Sequence, residues 1–160
     1  NDVKHRLFVG VLNMISWITD NLAVGELSDI EKENIERNRI DAVLNLMVEE
    51  NYDWKKDLPI LTSYVHSHVG AFDPDINLIK FQKECEEAVK QLLNLFEDGH
   101  NRVLVHCVAG MDRSPFIVAI YLVKKGFCKN YFEAFEKIKK TRPFALEHSE
   151  WWCSDWGKKR

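Results

Sequence analysis

Cysteine is scarce in this chain and never clustered. Cys85, Cys107, Cys128 and Cys153 are widely spaced and form no CxxC pair, which argues against both a disulfide scaffold and a zinc module and points to a reducing compartment. No apolar run reaches membrane-spanning length and no charged-then-apolar leader precedes the domain. A soluble, intracellular and cytoplasmic protein without a membrane partner is therefore expected. Neither charge predominates, with 22 Lys and Arg against 25 Asp and Glu and a net charge of −3. The lysines at Lys137, Lys139 and Lys140 accordingly read as a solvated helix face, and no stable nucleic-acid binding is expected. His66 and His68 have no third ligand nearby, so no metal is called for.

What the chain does have is a large apolar fraction, 46% of 160 residues, enough for a substantial core in one domain. Strand-like and helix-like stretches alternate, the pattern of an α/β domain with a central, mostly parallel sheet flanked by helices. One domain over 1–160 is expected, with its core over roughly 17–142 and a C-terminal helical segment over 147–158. In that segment Trp151, Trp152 and Trp156 pack onto the core.

Several elements can be placed from pattern alone. Ser28-Asp29-Ile30-Glu31 matches a capping box opening a short helix to about Arg37, and Ile40 to Leu46 reads as a buried strand. Ile60 to Val65 follows as a further strand. Asp75 is placed to cap a long amphipathic helix whose inward positions are Ile76, Ile79, Cys85, Val89, Leu92, Leu93 and Phe96, closed by Asp98-Gly99. Phe116 to Val123 is apolar on every side and predicts a buried helix ending at Lys124-Lys125-Gly126. A last helix begins near Asn130, with Phe132, Phe135 and Ile138 turned inward.

Between the strand Arg102-Val103-Leu104-Val105 and the buried helix lies His106-Cys107-Val108-Ala109-Gly110-Met111-Asp112-Arg113-Ser114. Ser114 suits the helix N-cap and Pro115 the first helical position. The loop thus ends on free amides and the positive end of a helix dipole, which favour a dianion. Arg113 adds a two-pronged donor for the same oxygens. The same field favours an anionic sulfur on Cys107, and the thiolate is the nucleophilic form. Gly110 suits a loop that turns its amides inward and needs freedom from a Cβ.

This stretch resembles the HCxxGxxR[ST] signature of the cysteine-dependent protein phosphatases, and its RS ending followed directly by a helix resembles the dual-specificity branch. Trp17 to Gly25 is similar to that family's opening strands and Ile40 to Leu46 to its next core strand. The resemblance implies a two-step hydrolysis of phosphotyrosine, extending to phosphoserine and phosphothreonine, on a phosphoprotein substrate. Cys107 would take the phosphoryl group as a phosphocysteine and water would release it, without cofactor or metal. It further implies that Val108, Ala109, Gly110, Met111, Asp112 and Arg113 bind the phosphate, that Ser114 hydrogen-bonds the sulfur as it leaves, and that His106 orders the loop. The short chain leaves little room for the recognition insertions of larger tyrosine-specific relatives, which implies a shallow site.

An acid must protonate the leaving oxygen, and relatives usually carry an Asp just before the long helix. Asp73 and Asp75 both lie there. Asp75 has a competing task as helix cap, so Asp73 is the first choice. Asp112 is the alternative, because a carboxylate beside the catalytic Arg resembles the GxDR ending of myotubularin-like phosphoinositide phosphatases. The loop has no lysine, however, and Val108, Ala109 and Met111 give it an apolar rim, which argues for phosphoprotein over a phosphoinositide. An RNA 5′-triphosphatase sharing the loop, and a phosphobinding module without turnover, are the remaining readings.

Overall fold

The computed structural model describes residues 14–47, 52–70 and 77–160. Five strands form one sheet: β1 (Ser16–Trp17), β2 (Leu22–Gly25), β3 (Ala42–Asn45), β4 (Ser63–His66) and β5 (Val103–His106). Their spatial order is β1-β2-β5-β3-β4, and every neighbouring pair is parallel except β1 with β2. The helices are α1 (Lys32–Arg37), α2 (Trp54–Asp57), α3 (Leu78–Glu97), α4 (Arg113–Lys124) and α5 (Tyr131–Thr141). The fold is thus the mostly parallel α/β sheet that the alternating pattern predicts.

The central strands are apolar on both faces because helices cover both faces. Alternate side chains part to opposite sides. Val103 and Val105, with Leu22, Val24, Ala42 and Leu44, join the larger core under α3, α4 and α5, whereas Leu104, Ala23 and Val43 meet Ile35, Leu58 and Leu61 on the other side. Within α4 every residue from Ser114 to Leu122 is buried, as expected of a helix apolar all round. It ends at Lys124 with Lys125 as C-cap, followed by Gly126 at φ +78°.

Several local expectations are corrected. Ser28 does not cap a helix. Asp29 instead accepts from the Glu26 amide around a 3₁₀ turn, Leu27–Asp29, and α1 opens after Glu31. The cap of α3 is Asn77, whose side chain accepts from the Lys80 amide; Asp75 and Ile76 lie outside the described residues. Ile79 is exposed, and Phe81, Ala88 and Leu95 join Cys85, Val89 and Leu92 on the buried face. The inward stripe therefore runs one turn later than apolarity near the start of the helix suggests. Phe132 is only half-buried, while Phe135 and Ile138 are buried.

The segment expected to be helical over 147–158 forms two 3₁₀ turns, Ser149–Trp151 and Ser154–Trp156. Trp152 and Trp156 are nonetheless buried, edge-on to Phe116. Packing of the indoles, not a continuous helix, fixes this part of the chain. Among the described residues, no helix is long and apolar enough to cross a membrane.

Candidate active site

Strand β5 ends at His106, which lies in register with Gly25 of β2 and Asn45 of β3. The loop that follows therefore leaves the carboxyl edge of the sheet at its centre, where open α/β sheets place ligands. His106 is fully buried, and burial holds its imidazole down to about pKa 4, helped by the Arg113 charge. The ring is neutral near pH 7, and its Nδ1 donates to the Cys107 carbonyl over 3.3 Å.

Three carbonyls of the loop are tied outward. Val108 O accepts from the Leu27 amide at 3.0 Å and Met111 O from the Leu146 amide at 2.9 Å. Gly110 O accepts from Arg142 Nε at 2.6 Å. In a trans peptide the N–H points opposite to the C=O, so the amides of Ala109, Met111 and Asp112 are turned away from these fasteners. The loop thereby forms a concavity of N–H groups of the kind that holds anions. Gly110 sits at φ +66°, and a Cβ there would come within 2.3 Å of Arg142 Nη2.

Helix α4 begins at Arg113, with Asp112 in the cap position and no side-chain capping bond. This corrects the expected cap at Ser114 and first turn at Pro115; Pro115 instead falls within the first turn, where its missing N–H leaves no bond unmade. Freed from capping, Ser114 is buried against Cys107. Its Oγ lies 3.2 Å from Cys107 Sγ and its amide donates to the same sulfur at 3.5 Å. Arg113 Nη1 donates to Val69 O at 3.1 Å, which holds the guanidinium beside the loop.

A pocket of about 320 Å³ opens here. Cys107, Val108, Ala109, Met111, Asp112 and Arg113 line it from the loop, and Gly70, Phe81, His148 and Trp151 from outside. The structure thus brings Cys107, Arg113 and Ser114 together with the loop residues singled out in the sequence. Asp73 lies outside the described residues. Asp112 lines the pocket, and its Oδ1 is 2.6 Å from His148 Nε2.

Four residues around this site were given no part in it by sequence reasoning. Arg142 is fully buried; its Nη1 donates to Met14 O and Ser16 Oγ, both at 2.9 Å, while Nε holds Gly110. Asp29, in the 3₁₀ turn whose Leu27 amide ties the loop, is 1% exposed, and burial pushes its carboxyl up to about pKa 6. His148 and Trp151 stack with centroids 3.5 Å apart. Arg142 ends a lysine-rich run, and its position before Pro143 was the sole available hint. Nothing in the spacing of His148 or Trp151 connects them to a loop more than thirty residues earlier.

Comparison with known proteins agrees with this geometry. Residues 22–154 match the model of the dual specificity phosphatase catalytic domain. The chain belongs to this family and carries its cysteine-based phosphatase domain. A probable dual specificity protein phosphatase of Dictyostelium discoideum is 25% identical over 115 residues, 71% of this chain and 26% of that protein. The protein tyrosine phosphatase type IVA 3 of Bos taurus is 35% identical over 69 residues, 42% of this chain and 39% of its own length. The RNA/RNP complex-1-interacting phosphatase of Mus musculus is 27% identical over 135 residues, covering 71% of this chain and 40% of that protein. The chain thus spans between a quarter and two fifths of the length of these curated relatives. Among solved structures, the PTP-2 phosphatase of Cydia pomonella superposes with a TM-score of 0.70 at 19% identity, covering 87% of this chain and 86% of the other. DUSP15 gives a TM-score of 0.67 at 23% identity, with coverage of 87% and 83%. Both similarities speak for the fold.

Proposed function

We propose that this chain hydrolyses phosphomonoesters on protein, phosphotyrosine first and phosphoserine or phosphothreonine with it, through a phosphocysteine. The observation that carries the reading is the position of Cys107 Sγ, within reach of both the hydroxyl and the amide of Ser114 at the N-terminus of α4. Loop amides and Arg113 hold the phosphate oxygens, and the dipole of α4 adds to their field. The sulfur attacks phosphorus, forming the S–P bond as the P–O bond to the leaving group breaks. Asp73 passes its proton to that oxygen. Water then attacks the phosphocysteine, its proton returning to the same carboxylate, and Ser114 Oγ–H stabilises the departing thiolate.

Support for Asp73 comes from chain connectivity. Gly70 lines the pocket, and Asp73 follows three residues later, a reach of at most about 10 Å for extended chain. The preference for a phosphoprotein rests on the pocket lining, which among the described residues contains Arg113 but no lysine. A phosphoinositide ring or an RNA triphosphate would call for more cations.

The test is turnover by the wild-type chain on a phosphotyrosine peptide, a phosphoserine peptide, a phosphoinositide and triphosphate-ended RNA. Preferential hydrolysis of the phosphotyrosine peptide is expected. Faster release from the lipid or the RNA would replace the substrate assignment, and binding without turnover on all four would identify a phosphobinding module.

A further inference from the structure

The Asp112 carboxylate stands at the mouth of a site built for a dianion, next to Arg113 and in the cap position of α4, yet caps nothing. Unbalanced, it would repel the ligand and draw on the Arg113 charge that the ligand needs. The structure shows where it goes instead. His148 Nε2 approaches Asp112 Oδ1 at 2.6 Å, and His148 Nδ1 approaches Glu150 Oε1 at 2.9 Å. Both ring nitrogens therefore face carboxylate oxygens.

The ring is also fixed in orientation. It stacks on Trp151 with planes 4° apart. Its backbone amide donates to the Tyr131 hydroxyl at 2.8 Å, and the Trp151 carbonyl accepts from Gln82 Nε2 at 3.1 Å. Helices α5 and α3 thus anchor the segment that carries it. With both nitrogens engaged by carboxylates, His148 has no free donor for substrate, which makes it a positioning residue.

We propose that His148 holds the Asp112 carboxylate against the C-terminal segment and offsets its charge, so that the loop accepts a phosphate dianion at full strength. This rests on the reading of the loop as a phosphate site, and it gives Asp112 a task other than general acid.

The test compares wild type, His148→Ala, Glu150→Gln, Asp112→Asn and the double variant His148→Ala/Asp112→Asn, with para-nitrophenyl phosphate as substrate and inorganic phosphate as competing ligand. His148→Ala should raise KM and the phosphate inhibition constant by about two- to fivefold, the size of a partly exposed charge pair, with kcat within about twofold. Adding Asp112→Asn should restore both constants towards wild type, because the charge needing compensation is gone. Glu150→Gln, which leaves the ring and its stacking in place, should give a smaller rise and covers the case in which His148→Ala does not fold. Unchanged constants in the single variants, or a double variant as weak as His148→Ala, would overturn the proposal while leaving the phosphatase reading intact. Failure of wild type to bind phosphate at all would overturn both.

Discussion

Arg142 Nε reaches from just beyond α5 to within 2.6 Å of the carbonyl oxygen of Gly110, and the guanidinium occupies the space a side chain at Gly110 would need. Each residue therefore requires the other. Gly110→Ala meets Arg142 Nη2 at 2.3 Å and Gly25 O at 2.7 Å, at a φ of +66°. Strain of about 1–3 kcal/mol is expected from the backbone alone. Arg142→Ala strips buried acceptors at Gly110 and Ser16 of their donor, a loss of about 1–3 kcal/mol for each unsatisfied group. Urea unfolding should show both variants less stable, with weaker phosphate binding. Wild-type stability in either would show that the two residues are not interlocked.

Cys107→Ser should abolish turnover while vanadate and phosphate still bind, since the loop amides and Arg113 are untouched. Arg113→Lys should weaken both binding and turnover, because a point ammonium cannot make the planar two-pronged contact. Steady-state kinetics with vanadate inhibition separates these outcomes, and near-normal rates in either variant would count against the mechanism.

Asp73→Asn should lower the rate on a phosphotyrosine peptide by about 10²–10⁴, the usual contribution of a general acid. The loss should shrink on para-nitrophenyl phosphate, whose leaving oxygen needs little protonation. Asp75→Asn and Asp112→Asn should show no such dependence on the leaving group. Its appearance in Asp112→Asn and absence in Asp73→Asn would transfer the role.

Iodoacetate should modify Cys107 first, and bound phosphate should block it. Cys85 is fully buried, and burial pushes its thiol well above the ordinary value, so it should react slowly. Peptide mapping after partial alkylation decides the order, and equal labelling of Cys85 would refute the selectivity.

Asp29 sets a pH dependence of stability. Its carboxyl is raised from 3.8 to about 6 in the folded chain, mainly by burial, so folding favours the protonated form. The contribution of this group is therefore full below about pH 3.8 and is lost as pH rises through about 6. Asp29→Asn removes that dependence. Relative to wild type, the variant should gain stability between pH 4 and 7 in urea titrations, and a constant difference across that range would sink the assignment.

The parallel sheet and the loop were legible because both depend on local pattern: apolar strands such as Val103 to Val105, and a Cys-to-Arg spacing confined to one turn. Capping was less so. Ser114 has the composition of an N-cap, yet the nearby sulfur claims its hydroxyl and the helix starts two residues earlier. The indoles of the C-terminal segment were read correctly as packing residues and wrongly as a helix, since two 3₁₀ turns bury Trp152 and Trp156 equally well. Arg142 and His148 were invisible because their meaning lies in partners 32 and 36 residues away, a separation no periodicity reports.

The three outward ties of the loop come from two stretches of chain: the turn at Leu27, and the segment after α5 with the guanidinium of Arg142 and the amide of Leu146. Much of the ordering cost of a phosphate cradle is thereby met during folding, before any ligand arrives. The converse is that the site has no independent existence. Fraying of the final thirteen residues would release His148 and Trp151 from the pocket, and if it spread back to Leu146 it would also free Met111. Amide exchange at Leu27 and Leu146 would register the integrity of the cradle without any substrate present.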